Sequence, residues 1–197
     1  MTTFTDTRSN RHNTVETMII GVMGYARTGK DVVAKTLVNH RGFTRLAFAD
    51  KLREFVYAFN PLIPGNEEGY WELAATVDMY GWDVVKERYA EDPHGGRQLL
   101  QRAGIVLRTT FGENILVDAA LNDVRPGKCY IFSDVRFPSE VEAILQRGGQ
   151  VWRVVRPGYG PVNSHVSETA VDHIAADITL HNDGTLAELE ASILANL

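Results

Sequence analysis

The segment over residues 18–38 constrains the fold most, because a short apolar run meets a glycine-bounded turn and then an amphipathic stretch. Residues 18–23 are apolar and rich in β-branched side chains, which predicts a buried strand. From Val33 onward apolar residues recur at helical spacing, which predicts a helix. The turn between them has the spacing G-x-x-x-x-G-K, in which successive main-chain N–H groups converge on one anion. The segment therefore predicts a strand, a phosphate-binding loop and a helix, in that order.

The loop comprises Gly24, Tyr25, Ala26, Arg27, Thr28, Gly29, Lys30 and Asp31. We expect Lys30 to reach the β- and γ-phosphates of a nucleotide, and the positive end of the following helix favours the same anion. The alternative is a glycine-rich turn with a solvated lysine. Such loops usually continue with Ser or Thr, whose hydroxyl binds Mg²⁺, whereas this chain has Asp31. Asp31 is expected to hold the metal, directly or through water, or to orient Lys30 or the acceptor.

The composition predicts one globular domain over residues 15–197, since a chain of 197 residues with 44% hydrophobic content can bury a sizeable core. The formal net charge of −5 argues against binding to nucleic acid or to an anionic membrane, so positive groups should cluster around a small ligand. Cys129 is the single cysteine, which fits a reducing cytoplasm. Residues 1–14 predict a disordered polar tail, and no segment resembles a signal peptide or a membrane span.

Strand and helix patterns alternate along the rest of the chain, which predicts a parallel sheet with helices on both faces. After the first strand, further strands are predicted at residues 43–48, 129–133, 150–155 and 177–181. Residues 61–69 are predicted to be a loop, and helices are predicted at 51–59, 70–79, 82–89, 97–109, 113–121 and 186–194, with one more starting at Pro138. Residues 60–112 thus form a helical insert, and the Gly/Pro-rich segment 156–168 a short lid. Thr185 and Glu188 have the spacing of a capping box.

The helix predicted at residues 97–109 carries a polar stripe. On a 3.6-residue repeat the stripe comprises Arg97, Gln101, Gly104 and Arg108. The side predicted to be buried comprises Leu99, Leu100, Ala103, Val106 and Leu107. The stripe can hold a phosphate by guanidinium groups and admit a flat ring at Gly104, or it is an ordinary solvated helix face. The aromatic residues before it either stack on a base or belong to the core: Tyr70, Trp71, Tyr80, Trp82 and Tyr89.

Two acidic residues lie at the ends of predicted strands. Asp134 follows the apolar run 129–133, where nucleotide-binding folds place a carboxylate for Mg²⁺ or its waters. Arg136 would reach into the same cleft. Asp50 either caps the helix after residues 43–48 or faces the phosphate loop from the carboxyl edge of the sheet.

Taken together, these motifs resemble those of the phage deoxynucleoside monophosphate kinases. The resemblance rests on GYARTGKD, RQLLQRAG, SDVRFPSE, VWRVVRPG, SHVSE and ADITLHNDGTLAEL, in the family's order. Asp31 agrees with the family, whereas Val32 and Ile105 stand where it often has threonine, so hydroxyl contacts to metal or nucleotide are not expected there. The resemblance implies a three-layer α/β P-loop kinase fold, with a five-stranded parallel sheet, a helical insert that binds the monophosphate and a short lid.

The resemblance also implies an activity: transfer of the γ-phosphoryl group of ATP to a deoxynucleoside 5′-monophosphate in the presence of Mg²⁺. It implies that residues 24–31 bind ATP, and that Arg97, Gln98 and Gln101 contact the monophosphate or its base. Asp134 and Arg136 would then lie between the two nucleotides. The segment after the lid matches the family at His165, Ser167 and Glu168, without an assigned role, and a local helix start accounts equally well for the serine and the glutamate.

From these positions we derive a hypothesis about roles. Lys30 contacts the β- and γ-phosphates, while Arg136 and a lid arginine, Arg153 or Arg156, offset the charge of the transition state. Asp134 and Asp31 are the predicted magnesium ligands. Arg97 is expected to anchor the acceptor phosphate, with the remaining substrate contacts at Asp50, Gln98, Gln101, Arg108 and Arg136.

Two other functions compete with this hypothesis. One is another small P-loop kinase, such as a dephospho-coenzyme A kinase, with a different acceptor. The other is a non-catalytic switch that binds ATP or GTP; the sequence disfavours it because no N/T-K-x-D guanine-reading motif occurs. The expected partners are small-molecule nucleotides rather than nucleic acid or membrane, in the cytoplasm of a host cell if the chain is phage-encoded. The sequence leaves open whether the chain forms a homodimer.

Overall fold

A parallel sheet forms the centre of the protein, in a computed structural model that describes residues 17–65, 69–88, 92, 94–161 and 170–197. In chain order the elements are β1 (Met18–Met23), α1 (Lys30–Arg41), β2 (Thr44–Leu46), α2 (Phe48–Phe59), β3 (Leu62–Pro64), β4 (Tyr70–Glu72), α3 (Leu73–Glu87), α4 (Gly96–Phe111), α5 (Ile115–Leu121), β5 (Cys129–Val135), α6 (Pro138–Leu145), β6 (Gln150–Val155), a 3-10 helix (Ala170–His173), β7 (Ile178–His181) and α7 (Leu186–Ala195). The predicted tail at 1–14, Tyr89 and residues 162–169 of the predicted lid lie outside the described residues.

The sheet has five strands in the order β2-β5-β1-β6-β7, and every neighbouring pair is parallel. This confirms the predicted five-stranded parallel sheet. β1 is the central strand, and its last residue, Met23, pairs with Val135 of β5 and Arg153 of β6. Because parallel strands end at one edge of the sheet, the segments that follow β1, β5 and β6 lie side by side.

The core consists of two apolar layers, one on each face of the sheet. Since successive strand residues point to opposite faces, Ile19 and Met23 of β1 enter one layer, and Ile20 and Val22 enter the other. The first layer packs under α2, α5 and α6, and the second packs under α1 and α7. Trp152, which is fully buried, belongs to the second layer. The predicted three-layer α/β fold is therefore confirmed.

A third apolar cluster lies in the predicted insert and joins α2, the β3–β4 hairpin, α3 and α4. It comprises Val56, Ile63, Leu73, Val85 and Leu100. The hairpin is antiparallel, with Ile63 opposite Trp71. The predicted loop at 61–69 and the predicted helix start at 70 are wrong here, because strands of three residues are too short to show a period of two. α3 is kinked at Gly81, whose φ is 78°, between the two helices that the sequence predicts.

Three element boundaries bear on the site. β2 ends at Leu46 and α2 begins at Phe48, so Asp50 is the third residue of α2 and Ala47 is its N-cap. β5 runs to Val135, so Asp134 lies inside the strand rather than beyond it. None of the helices in the described ranges combines the length and the apolar content that crossing a bilayer requires.

Candidate active site

The phosphate-binding loop leaves β1 at Gly24 and enters α1 at Lys30. Gly24 and Gly29 have φ angles of 143° and 113°, which side chains rarely adopt. A Cβ atom at Gly24 would lie 2.5 Å from the Val154 carbonyl oxygen, and one at Gly29 would lie 2.8 Å from Nδ2 of Asn182. Both ends of the loop therefore require glycine, because β6 and the end of β7 approach them closely.

Asn182 supports the loop from the end of β7. Its side-chain amide donates to the Thr28 carbonyl oxygen at 2.8 Å, and the buried Thr28 hydroxyl donates to the Tyr25 carbonyl oxygen at 2.9 Å. The sequence analysis assigned no role to Asn182. A signal was present, since the turn at 182–184 comes directly after a strand, at the edge where ligands bind in such sheets.

Lys30 lies against the loop that it follows. Its ammonium donates to the carbonyl oxygens of Gly24 and Tyr25 at 2.8 and 2.6 Å. The next residue, Asp31, is exposed in the first turn of α1. The loop thus presents a positive charge and an acidic side chain at the amino end of a helix, where anions are favoured.

Asp134 connects the sheet to α2. Its two carboxylate oxygens accept hydrogen bonds from the main-chain N–H groups of Phe48 and Ala49, each at 2.9 Å. Burial raises the pKa of Asp134, while these two N–H groups and the charge of Arg136 act in the opposite direction. Asp134 therefore satisfies the first turn of α2 and faces the segment that carries Arg136.

Asp50 lies close enough to Asp134 for its charge to contribute to the raised pKa of that carboxyl. Its own carboxylate contacts Arg53 at 2.7 Å and Arg45 at 3.2 Å. The prediction of Asp50 as an N-cap is wrong, because the cap position falls on Ala47 and Asp50 lies one turn further on. The alternative, a place at the carboxyl edge of the sheet, agrees with its position beside Asp134.

The sequence analysis also missed Glu140, which is 2% exposed at the start of α6. Its carboxylate accepts the N–H groups of Arg136 and Phe137 at 2.7 and 3.1 Å. Arg108 of α4 reaches the same carboxylate at 3.4 Å and lies over the Phe137 ring, 3.9 Å from its centroid. Burial and then the charge of Asp134 raise the pKa of Glu140 to about 7.

The polar stripe on α4 has partners on several elements. Arg97 forms an ion pair with Glu87 of α3, and Arg108 contacts Glu140, so these two residues do not form an ordinary solvated face. Gln98 and Gln101 are half-buried on the same helix. The predicted gap at Gly104 is wrong, since a Cβ there would lie 3.4 Å from Leu52 and the glycine packs against α2.

The predicted buried side of α4 needs one correction. Leu100 and Leu107 are buried as predicted, whereas Val106 is 57% exposed. The exposed position follows from Gly104, which takes a place on the buried face because it lets α2 approach closely. The buried face is therefore rotated toward Gly104.

The aromatic residues of the insert pack mainly with one another. The rings of Trp71 and Tyr80 lie 6.3 Å apart and nearly parallel, and the Arg88 guanidinium lies over both, at 4.8 and 5.5 Å. Trp82 packs against the insert core, whereas Tyr70 is exposed. These contacts favour packing over base stacking for Trp71, Tyr80 and Trp82.

Both predicted lid arginines lie near the phosphate loop. Arg153, on β6, donates to the carbonyl oxygen of Ile174, and Arg156 donates to that of Arg27 at 3.4 Å. The Tyr25 hydroxyl donates to Asp172 of the 3-10 helix, and this hydrogen bond raises the pKa of Tyr25. The segments on both sides of the lid are thus tied to the loop.

The arrangement defines a class of protein. A glycine-bounded phosphate loop leaves the central strand, a cation-bearing segment follows β5, and arginines lie on and after β6. Groups that bind and neutralise phosphate therefore surround one edge of the sheet, as in the P-loop phosphotransferases.

Comparison with known proteins identifies the family. A family model described as deoxynucleotide monophosphate kinase matches residues 91–193, and the chain belongs to this family. A protein of Acanthamoeba polyphaga mimivirus, assigned by name to the same kinases, is 29% identical over 195 residues, which cover 90% of this chain and 95% of that protein. The deoxynucleotide monophosphate kinase of Enterobacteria phage T4 is 36% identical over 64 residues, which cover 32% of this chain and 27% of that kinase.

Among solved structures, a dephospho-CoA kinase from Campylobacter jejuni aligns with a TM-score of 0.37 and 12% identity, over 91% of this chain and 94% of that one. The family match confirms the predicted resemblance and the prediction that the protein is a nucleotide kinase. The nucleotide contacts of the individual site residues stay predictions.

Proposed function

We propose that the protein transfers the γ-phosphoryl group of ATP to deoxynucleoside 5′-monophosphates, which gives ADP and deoxynucleoside diphosphates. The observation that carries this proposal is the phosphate loop on β1 with arginines on the neighbouring strand edges, in a chain of the deoxynucleotide monophosphate kinase family. The substrates are small anions, which agrees with positive groups clustered in an acidic chain. The single cysteine supports a cytoplasmic location.

On the donor side, the chain supplies the loop at residues 24–31 and the ammonium of Lys30. Phosphoryl transfer needs the donor and acceptor oxygens in line, water excluded and the developing charge neutralised. Lys30 would exchange its loop carbonyls for the β- and γ-phosphate oxygens. Arg136 from β5, with Arg153 or Arg156 from β6, would offset the charge on the group in transfer.

On the acceptor side, Arg97, Gln98 and Gln101 of α4 would bind the monophosphate or its base. Arg97 already pairs with Glu87, so it would bind the phosphate by exchanging one anionic partner for another or by sharing its donors. Asp50 and Arg108 complete the predicted set. Because a phosphate monoester is largely ionised at pH 7, the acceptor oxygen needs no general base.

Mg²⁺ suits the oxygen ligands that the chain offers. Asp31 and Asp134 are carboxylates at the loop edge, and Mg²⁺ commonly uses one or two carboxylates together with waters and substrate phosphates. In the described part of the chain no cluster of three or more His, Cys, Asp or Glu side chains could hold a metal, which agrees with a site completed by phosphates. Both Asp134 oxygens accept N–H groups, so this residue would act best through water. The bound ion would neutralise phosphate charge.

Product analysis tests the proposal directly. The purified chain is incubated with ATP, Mg²⁺ and each dNMP and NMP in turn, with dephospho-coenzyme A as a further acceptor, and ADP and the second product are quantified. Transfer to deoxynucleoside monophosphates is expected. Transfer to dephospho-coenzyme A alone, or nucleotide binding without transfer, would replace the proposal.

Lys30→Ala should lower kcat by about a hundredfold or more, because it removes a contact to the transition-state charge. Lys35→Ala is the matched control, since Lys35 is exposed on the same helix. A turnover of Lys30→Ala within a few-fold of wild type would contradict the assigned role.

Arg97→Ala should raise the KM for the monophosphate by about tenfold or more, with the KM for ATP nearly unchanged, because only an acceptor contact is lost. Arg102→Ala is the control on the exposed side of α4. Equal weakening of both substrates would remove Arg97 from the acceptor site.

A further inference from the structure

Glu140 lies where α4, α6 and the segment after β5 meet. One of its carboxylate oxygens accepts the N–H groups of Arg136 and Phe137, and the other faces the guanidinium of Arg108. Arg108 belongs to α4, the helix that also carries Arg97. A single carboxylate therefore contacts both the proposed transition-state segment and the proposed acceptor helix.

Helix capping alone does not explain this arrangement. A glutamate at the third position of a helix commonly accepts N–H groups just before the helix, and glutamine does so as well. Glu140 does the same for Phe137, but its side chain is only 3% exposed, so an ionised carboxylate is buried at this point. Burying a charge is unfavourable unless its partners compensate for it. A charged group here has a specific use only if Arg108 is to be held.

The contacts of Arg108 fix it in two directions. Its guanidinium lies over the Phe137 ring and also reaches the Glu140 carboxylate. Phe137 and Glu140 thus connect α4 to the main chain at Arg136. On the other side of Arg136, Asp134 binds the first turn of α2 through two hydrogen bonds. The segment over residues 134–140 is held to α2 by one carboxylate and to α4 by the other.

We propose that Glu140 is a positioning residue for phosphoryl transfer, which holds the main chain of Arg136 in a fixed relation to α4 through Arg108. The proposal rests on the proposed function, in which Arg136 acts on the transferred group and α4 binds the acceptor. Glu140 contacts neither nucleotide in this scheme. Its loss should therefore misplace Arg136 relative to the acceptor and lower kcat, while ATP binding at the phosphate loop is retained.

Glu140→Gln tests the proposal, and Glu142→Gln is the matched control, since Glu142 is an exposed residue on the same helix that contacts Gln146. Glu140→Gln should lower kcat by about tenfold to a hundredfold, the range expected for a small misplacement of a reacting group. The KM for ATP and the Kd for ADP should stay within about twofold of wild type, which also shows that the variant is folded. Glu142→Gln should leave all three values unchanged.

The link to α4 is tested by Arg108→Gln and by the double variant. If Arg108 acts through Glu140, the double variant loses no more kcat than the weaker of the two single variants. Multiplied losses in the double variant would overturn the link, and a kcat of Glu140→Gln within twofold of wild type would overturn the proposal. If Glu140→Gln fails to bind ADP, Arg108→Gln alone decides, and wild-type kcat in that variant is the overturning result. Wild-type turnover on monophosphates tests the proposed function separately from these ratios.

Discussion

The buried carboxyl of Glu140 should make stability depend on pH in the direction opposite to that of an ion-paired surface carboxylate. Burial, and then the charge of Asp134, raise the pKa of Glu140 from 4.5 to about 7, against the opposing effects of the Arg136 and Phe137 N–H groups and of Arg108. The folded protein therefore holds this proton more tightly than the unfolded chain. The resulting stabilisation is fully present below pH 4.5 and is lost as the pH rises through 7.

The magnitude follows from the two pKa values. At about 1.4 kcal/mol for each pH unit between 4.5 and about 7, this carboxyl should remove roughly 2 to 3 kcal/mol of stability between pH 5 and pH 8. With a urea m-value of about 2 kcal/mol per molar, the unfolding midpoint should shift by about 1 M. Since Glu140 is 2% exposed, solvent screening reduces this effect little.

Urea unfolding of wild type, Glu140→Gln and Glu142→Gln at pH 5, 6, 7 and 8 measures the effect. Glutamine cannot ionise, so the free energy of unfolding of Glu140→Gln should gain roughly 2 to 3 kcal/mol relative to wild type from pH 5 to pH 8. Asp134 and all other titrating groups remain in both proteins, so the difference isolates position 140. Parallel pH curves for wild type and Glu140→Gln would refute the reasoning, whereas Glu142→Gln should run parallel to wild type.

Further predictions concern the support of the phosphate loop and the sheet core. Gly29→Ala should weaken ADP binding by about tenfold or more, because a Cβ would lie 2.8 Å from Asn182 at a φ of 113°; unchanged affinity in a calorimetric titration would contradict this. Asn182→Ala removes the hydrogen bond to the Thr28 carbonyl oxygen and should weaken ADP binding by about fivefold, the equivalent of about 1 kcal/mol. Trp152→Ala should lower the free energy of unfolding by about 3–5 kcal/mol, since the side chain is fully buried; a loss below about 1 kcal/mol in urea would argue against that burial.

The parts of the fold that follow from local patterns are predictable from the sequence. β1, the phosphate loop and α1 combine an apolar run, two glycines and a helical repeat, and each part of that pattern is local. The capping box is confirmed in the same way, because Thr185 and Glu188 exchange hydrogen bonds across three residues. The family motifs carried the prediction of a nucleotide kinase, which composition and spacing alone did not reach.

The insert was harder to predict because its structure depends on contacts distant in sequence. The β3–β4 hairpin is held by pairing and by the hydrogen bond from the Gly65 N–H to the Gly69 carbonyl oxygen, and its strands are too short to show alternation. Gly104 was assigned to a ligand face because no pattern in its own helix indicates that Leu52 packs there.

The partners of the buried charges were likewise not predictable. Glu140 stands in the quoted SDVRFPSE motif, but its ion pair with Arg108 joins residues 32 positions apart. Asp134 was recognised as a carboxylate at the strand edge, while its two hydrogen bonds to the start of α2 depend on how the layers pack. Sequence patterns thus indicate which side chains carry chemistry, and tertiary structure decides what they contact.

The grip of the Gly24 and Tyr25 carbonyl oxygens on the Lys30 ammonium affects how the enzyme divides its binding energy. A triphosphate that recruits this lysine must displace partners already in place, so the net gain from the swap in the resting complex is small. The gain grows as negative charge builds up on the migrating group, because the carbonyls cannot match that attraction. Lys30 is thereby kept from tightening ground-state affinity and is reserved for accelerating turnover.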